Sequence, residues 1–170
     1  MTDIAQTTIA ECKRQEESCL YTSTSMYAWL RSMRRWRKVF VVAPIVFGGI
    51  ASWSILQGLE NPLAIWATAI SGLLAGLFPA VFKALELDGH IEEVSRQAGS
   101  FKNLQDKFRY LASTAQFLDD GERDERFGAL MEEMNELRML STTPPERFFK
   151  SAQAKVKSGD YDFDSDRDQS

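Results

Sequence analysis

Charge and apolarity are segregated along this chain. From Val39 to Phe82 one charged residue, Glu60, interrupts an otherwise uncharged stretch. Its first half, Val39–Leu59, has 21 residues and its second, Asn61–Phe82, has 22. A helix needs about 20 apolar residues to cross the roughly 30 Å hydrocarbon core of a bilayer, so each half is long enough to span once. Between them, Gln57-Gly58-Leu59-Glu60-Asn61-Pro62 has turn chemistry. The pattern predicts a two-helix transmembrane hairpin over 39–82. The competing reading is a buried helical pair in a soluble protein. A core helix of that kind keeps charge on its outer face, and neither half has any.

Beyond Lys83 the pattern changes to a helical period. Leu87, Ile91, Val94, Ala98, Phe101, Leu104, Phe108, Leu111, Ala115 and Leu118 recur at steps of three and four. This is the seam of a helix that packs on a partner. Asp119-Asp120-Gly121 reads as a turn. A second periodic run follows, Phe127, Leu130, Met131, Met134, Leu137 and Leu140, stopped by Thr142-Thr143-Pro144-Pro145, with a short last helix over Glu146–Lys157. Upstream of the hairpin, Thr7-Thr8 is a candidate cap for a helix from about Ile9, and Ser23–Ser25 is expected to interrupt it. Met26–Lys38 is cationic and continues into the first span. The expected organisation is a basic N-terminal segment (1–38), the hairpin (39–82), a helical domain (83–157) and an acidic, disordered tail (158–170). The fold class is all-α, with the N- and C-terminal segments forming a cytoplasmic helical bundle.

The net charge of −4 would suit a soluble acidic protein, but it averages over this segregation. A cleaved secretory signal is not expected, because the first apolar run begins only at Val39. Where the positive charge lies matters more. Arg31, Arg34, Arg35, Arg37 and Lys38 precede the first span, Lys83 follows the second, and the loop has neither Lys nor Arg. Cationic flanks stay on the cytoplasmic side, so both termini are expected there. Near the surface each such cation is worth roughly 1 kcal/mol against anionic lipid. Topology accounts for this cluster, so nucleic acid is not an expected partner. Trp36, Trp53 and Trp66 fit interfacial anchors. Cys12 and Cys19, seven residues apart, fall on one helical face as reduced thiols in a packing role.

Candidate chemistry is sparse. The single histidine, His90, has Glu86 and Glu93 within helical reach, too few donors for a three-ligand metal site. No nucleotide-loop, zinc-protease or nucleophile-elbow motif occurs, so neither a cofactor nor enzymatic activity is expected. The second span carries a small-residue stripe, Ala64, Thr68, Gly72, Gly76 and Ala80, with Gly72 and Gly76 forming a GxxxG. Small residues let helix backbones approach closely in lipid, where hydrophobic drive between helices is weak. The stripe can hold the two spans of one chain together or build a homo-oligomer. Pro44, Gly48 and Ser52 form a shorter stripe in the first span. Neither span has an ionisable residue at its centre, which argues against coupled transport. In an oligomer, Ser52, Ser54, Gln57, Thr68 and Ser71 are candidate pore-lining residues, and Pro44 and Pro79 candidate hinges.

Three features together resemble the SLATT family of bacterial two-transmembrane effectors. They are a helix ending in a Trp/Arg cluster (WLRSMRRWR, Trp29–Arg37), the hairpin, and an amphipathic helix directly after it (HIEEVSRQA from His90; LQDKFRYLA from Leu104). The resemblance covers about Cys12 to Leu140. It implies a membrane effector of anti-phage defence that oligomerises into a pore or disrupts the membrane when a sensor, such as a nucleotide-signal partner, fires. Two other readings of the residues stay open: a non-conducting anchor for a soluble partner, and a holin-like lesion former.

Overall fold

The computed structural model describes residues 3–56 and 62–159. Most of the expected turn (57–61), with candidate pore residue Gln57, lies outside the described residues, as do the side chain of Ser54 and all of the expected acidic tail from residue 160 onward. Among the described residues there are five α-helices and no strand: α1 (Asp3–Leu56), α2 (Pro62–Ala84), α3 (Leu87–Thr114), α4 (Asp120–Leu140) and α5 (Glu146–Lys157). A 3-10 turn, Ala115–Phe117, joins α3 to α4. The chain forms two compact units, Met1–Leu30 with Glu93–Ser170, and Arg31–Glu92.

α1 departs from the sequence reading in two ways. It starts at Asp3, ahead of the Thr7-Thr8 pair, and it runs through Ser23–Ser25 without a break. The hydroxyls explain the second point. Thr22 Oγ1 donates to the Ser18 carbonyl at 2.9 Å, Ser23 Oγ to Leu20 at 3.1 Å, and Ser25 Oγ to Thr22 at 2.8 Å. Each hydroxyl is satisfied by its own helix, so it does not compete with the backbone for another conformation. Ser23, Thr24 and Ser25 are all buried.

The first unit has its own core. Cys12, Cys19, Met26 and Leu30 of α1 lie buried, as do Val94, Ala98, Phe101, Leu104, Phe108 and Leu111 of α3, Met134 of α4 and Ala152 of α5. The expected α3 seam is therefore buried from Val94 to Ala115, while Leu87, Ile91 and Leu118 at its ends are half-buried. Contacts join the two ends of the sequence. The Cys19 thiol lies 3.8 Å from the Met134 sulfur, Arg138 donates to Ser18 Oγ at 3.2 Å, and the Tyr21 and Phe149 rings are 6.4 Å apart.

α3 and α4 run antiparallel. Phe108 meets the Phe127 ring edge-on at 6.4 Å, Lys107 Nζ donates to Glu133 at 2.7 Å, and Gln97 Nε2 donates to the Leu140 carbonyl at 3.2 Å. Gln97 Oε1 also accepts from the Thr142 amide at 3.0 Å, tying the end of α4 to α3. The junction is not a free turn at Asp119-Asp120-Gly121. Asp119 caps α4 by accepting from the Glu122 amide at 2.7 Å, and Asp120 and Gly121 are already helical. Arg123 fastens it from inside. Its buried guanidinium donates to the carbonyls of Ala115 (3.0 Å) and Leu118 (2.8 Å) and to Asp120 (2.7 Å). It thereby satisfies carbonyls that the end of a helix leaves without partners.

Candidate functional site

The second unit holds the apolar part of α1 and all of α2. Both helices are long and apolar enough to cross a membrane. The core helix of a soluble protein would be mostly covered. None of the most apolar window of α1 is buried, and 6 % of that of α2. Val41, Val42, Ile45, Val46, Ile50 and Trp53 of α1 are exposed, as are Leu63, Ile65, Trp66, Ile70, Leu73 and Leu77 of α2. Isolated exposed apolar residues are ordinary, but a contiguous belt of this kind marks an interaction surface.

The contact between these helices is made by phenylalanines. The Phe40 ring lies 5.7 Å from Phe78 and 6.2 Å from Phe82, and Phe47 stacks on Phe78 at 5.8 Å. The sequence reading singled out none of these four. The signal was present, with Phe40 and Phe47 seven apart and Phe78 and Phe82 four apart, one face on each helix.

The small-residue stripe divides. Ala64 and Thr68 are half-buried, and Thr68 Oγ1 donates to the Ala64 carbonyl at 2.8 Å. Gly72, Gly76 and Ala80 are exposed, and a Cβ added at Gly72 or Gly76 would meet nothing within 4 Å. Within one chain, then, the GxxxG faces open space. The candidate pore residues are also scattered in environment: Ser52 is exposed, Thr68 half-buried and Ser71 buried. Pro44 and Pro79 both sit inside continuous helices, Pro44 half-covered and Pro79 exposed.

The basic residues cluster at one end of the belt. Arg31, Arg34, Arg35, Arg37, Lys38 and Lys83 are all exposed. Arg37 Nε pairs with Asp88 at 2.7 Å. Trp36, beside them, is exposed and lies 6.4 Å from Phe40. A short turn separates α2 from α3, with Glu86 at a positive φ of 44°.

The remaining candidates are His90 and the two cysteines. His90 is exposed. Glu93, within helical reach of it, is engaged by Arg96 and by Gln97; the hydrogen bond from Arg96 first, then that from Gln97, holds its carboxyl below the usual carboxylate range. Among the described residues no three His, Cys, Asp or Glu side chains group as metal ligands do. Cys12 and Cys19 are buried free thiols. Burial pushes both up to about 11, reinforced by Glu11 at Cys12 and partly offset by Arg138 at Cys19. Comparison of the chain with models of known protein families, with curated proteins and with solved structures gave no match.

Proposed function

We propose that this chain is a membrane effector. Its two apolar segments cross the bilayer as a hairpin with both termini in the cytoplasm. Several copies assemble and open a pore or perturb the membrane when a signal reaches the helical domain. The observation that carries this reading is the uncovered apolar belt on α1 and α2, with the Gly72–Gly76 face left open beside it. Lipid is the solvent that accommodates such a belt, and an open small-residue face is what a second helix approaches in lipid. The absence of a central ionisable residue suits assembly more than coupled transport. The resemblance to the SLATT family implies the same class of activity and a defence sensor as the trigger.

Induced expression with simultaneous recording of membrane potential and viability tests the reading. Depolarisation is expected, and Gly72→Leu or Gly76→Leu should relieve it without lowering membrane abundance. Light scattering in detergent should give a mass of several chains. The mass of one chain, or full potential and viability at high abundance, overturns the effector reading. Topology is tested separately by labelling intact cells. Asn61→Cys should react from outside and Ser170→Cys should not. Cys12 and Cys19 are too buried to serve as reporters.

A second reading, a non-conducting anchor for a soluble partner, is favoured by one feature. An apolar groove of about 460 Å³ lies between α3 and α4, lined by Tyr110, Leu111, Ala129 and Leu130 and edged by Lys107 and Arg126. Normal potential together with capture of a soluble protein that Leu130→Asp abolishes would support it.

A further inference from the structure

The five cations before the first span do not all serve one purpose. Arg37 is occupied by Asp88. Arg31, Arg34, Arg35 and Lys38 are exposed and have no ion-pair or hydrogen-bond partner among the described residues. Their spacing is i, i+3, i+4, i+7, which places all four on one face of α1. Like charges that close repel one another, at a cost of a few tenths of a kcal/mol per helical pair, so the face gains from an anionic occupant.

The same face changes character immediately above the charges. The stripe Arg31, Arg35, Lys38 continues through Val42 and Val46 at helical steps, so cationic side chains give way to apolar ones along one line. A shallow, open furrow of about 410 Å³ runs along α1 from Lys38 to Phe47, beside Val39, Val42, Ala43 and Val46. Lys38 to Phe47 rises about 14 Å along the helix. An unpaired cationic face that opens into an apolar furrow has the two-part chemistry of a phospholipid, phosphate below and acyl chain above.

We infer that this face of α1 is a binding site for an anionic phospholipid, its phosphate held by Arg34, Arg35 and Lys38 and one acyl chain lying in the Val39–Phe47 furrow. The site rests on the membrane reading above. It goes further in selecting anionic over zwitterionic lipid and in assigning the charges a ligand as well as a topological role.

The test uses the purified full chain in detergent, offered phosphatidylcholine and phosphatidylglycerol together, with retained lipid counted by native mass spectrometry. Phosphatidylglycerol should be retained preferentially. Each single change, Arg34→Gln, Arg35→Gln or Lys38→Gln, should weaken it about fivefold, and the triple variant about a hundredfold. Val46→Trp, which fills the furrow and leaves every charge in place, should also release lipid. Lys150→Gln, an exposed cation on α5 in the other unit, should change nothing. Equal retention of the two lipids, or a triple variant that keeps its phosphatidylglycerol, overturns the site while leaving the membrane reading intact. Failure of the wild-type chain to enter vesicles of either composition overturns the membrane reading itself. If a single-stranded oligonucleotide binds this face and displaces phosphatidylglycerol, the occupant is a nucleic acid and the lipid assignment is wrong.

Discussion

α3 and α2 are both helices of more than 20 residues with apolar side chains at helical spacing, and they meet opposite surroundings. On α3, Phe101 and Phe108 are 2 % and 0 % exposed. On α2, Leu73 and Leu77 are 70 % and 51 % exposed. The difference lies in the rest of each helix. α3 sets its stripe against charged and polar residues on the other faces, so burying one face against α1 and α4 leaves a surface that water accepts. α2 is apolar all round, and one partner helix can cover only one side of it. A pair of such helices covers only part of its apolar surface, and the rest is left exposed. The first unit encloses a core of its own, and the second leaves most of its apolar side chains uncovered.

That contrast can be broken most sharply at one residue on each side. Phe108→Ala removes a fully buried ring and should cost about 3–5 kcal/mol, seen as a lowered unfolding midpoint of the helical domain. Leu73→Ala, at an exposed position, should leave that midpoint unchanged. A charge gives the converse result. Leu73→Arg should cost about 3 kcal/mol if α2 lies in hydrocarbon and almost nothing if that face meets water. Loss of the variant from carbonate-washed membranes, at unchanged synthesis, is the expected outcome. Retention equal to wild type would show that the face does not contact lipid.

A smaller effect sharpens how the first unit is closed. Arg123→Met keeps the aliphatic bulk and leaves the Ala115 and Leu118 carbonyls without their donor. It should cost about 2 kcal/mol, with accelerated hydrogen exchange concentrated at the α3–α4 junction. The pH dependence is smaller still. Cys12 and Cys19 ionise near 9.0 when unfolded and near 11 when folded. Because the folded values are raised, their contribution is fully present below about pH 9 and is lost as pH climbs through 11. The first unit should lose stability over that window in thermal melts, and Cys12→Ala with Cys19→Ala should flatten that part of the profile. The smallest change is at Glu86, whose positive φ carries a modest backbone strain. Glu86→Gly should raise stability by a few tenths of a kcal/mol, since the relief is partly offset by the freedom glycine gains when unfolded.

The sequence by itself determined that the chain is helical and that two segments are long and apolar enough to cross a membrane, but not that α1 runs unbroken through Ser23–Ser25. Charge-free length needs no partner to be read, and the period of the α3 seam survives in the structure from Val94 to Ala115. The last helix, Glu146–Lys157, follows from the proline stop ahead of it. Less visible was the face that α1 turns to the core, Ala5, Thr8, Cys12, Cys19, Ser23, Met26 and Leu30, because it is written partly in Thr, Cys and Ser. Ser23 can be buried there because its hydroxyl bonds back to the Leu20 carbonyl, and the Cys19 thiol lies against the Met134 sulfur. Only the tertiary structure decided that phenylalanines, and not the GxxxG, join α1 to α2. It also decided that Arg37 has a partner while its four neighbours have none among the described residues, and that the buried Arg123 holds the α3–α4 turn. The first two depend on residues brought together from distant parts of the chain, and a one-dimensional period carries no record of which face meets which; Arg123 reaches local partners, but no period marks it as buried.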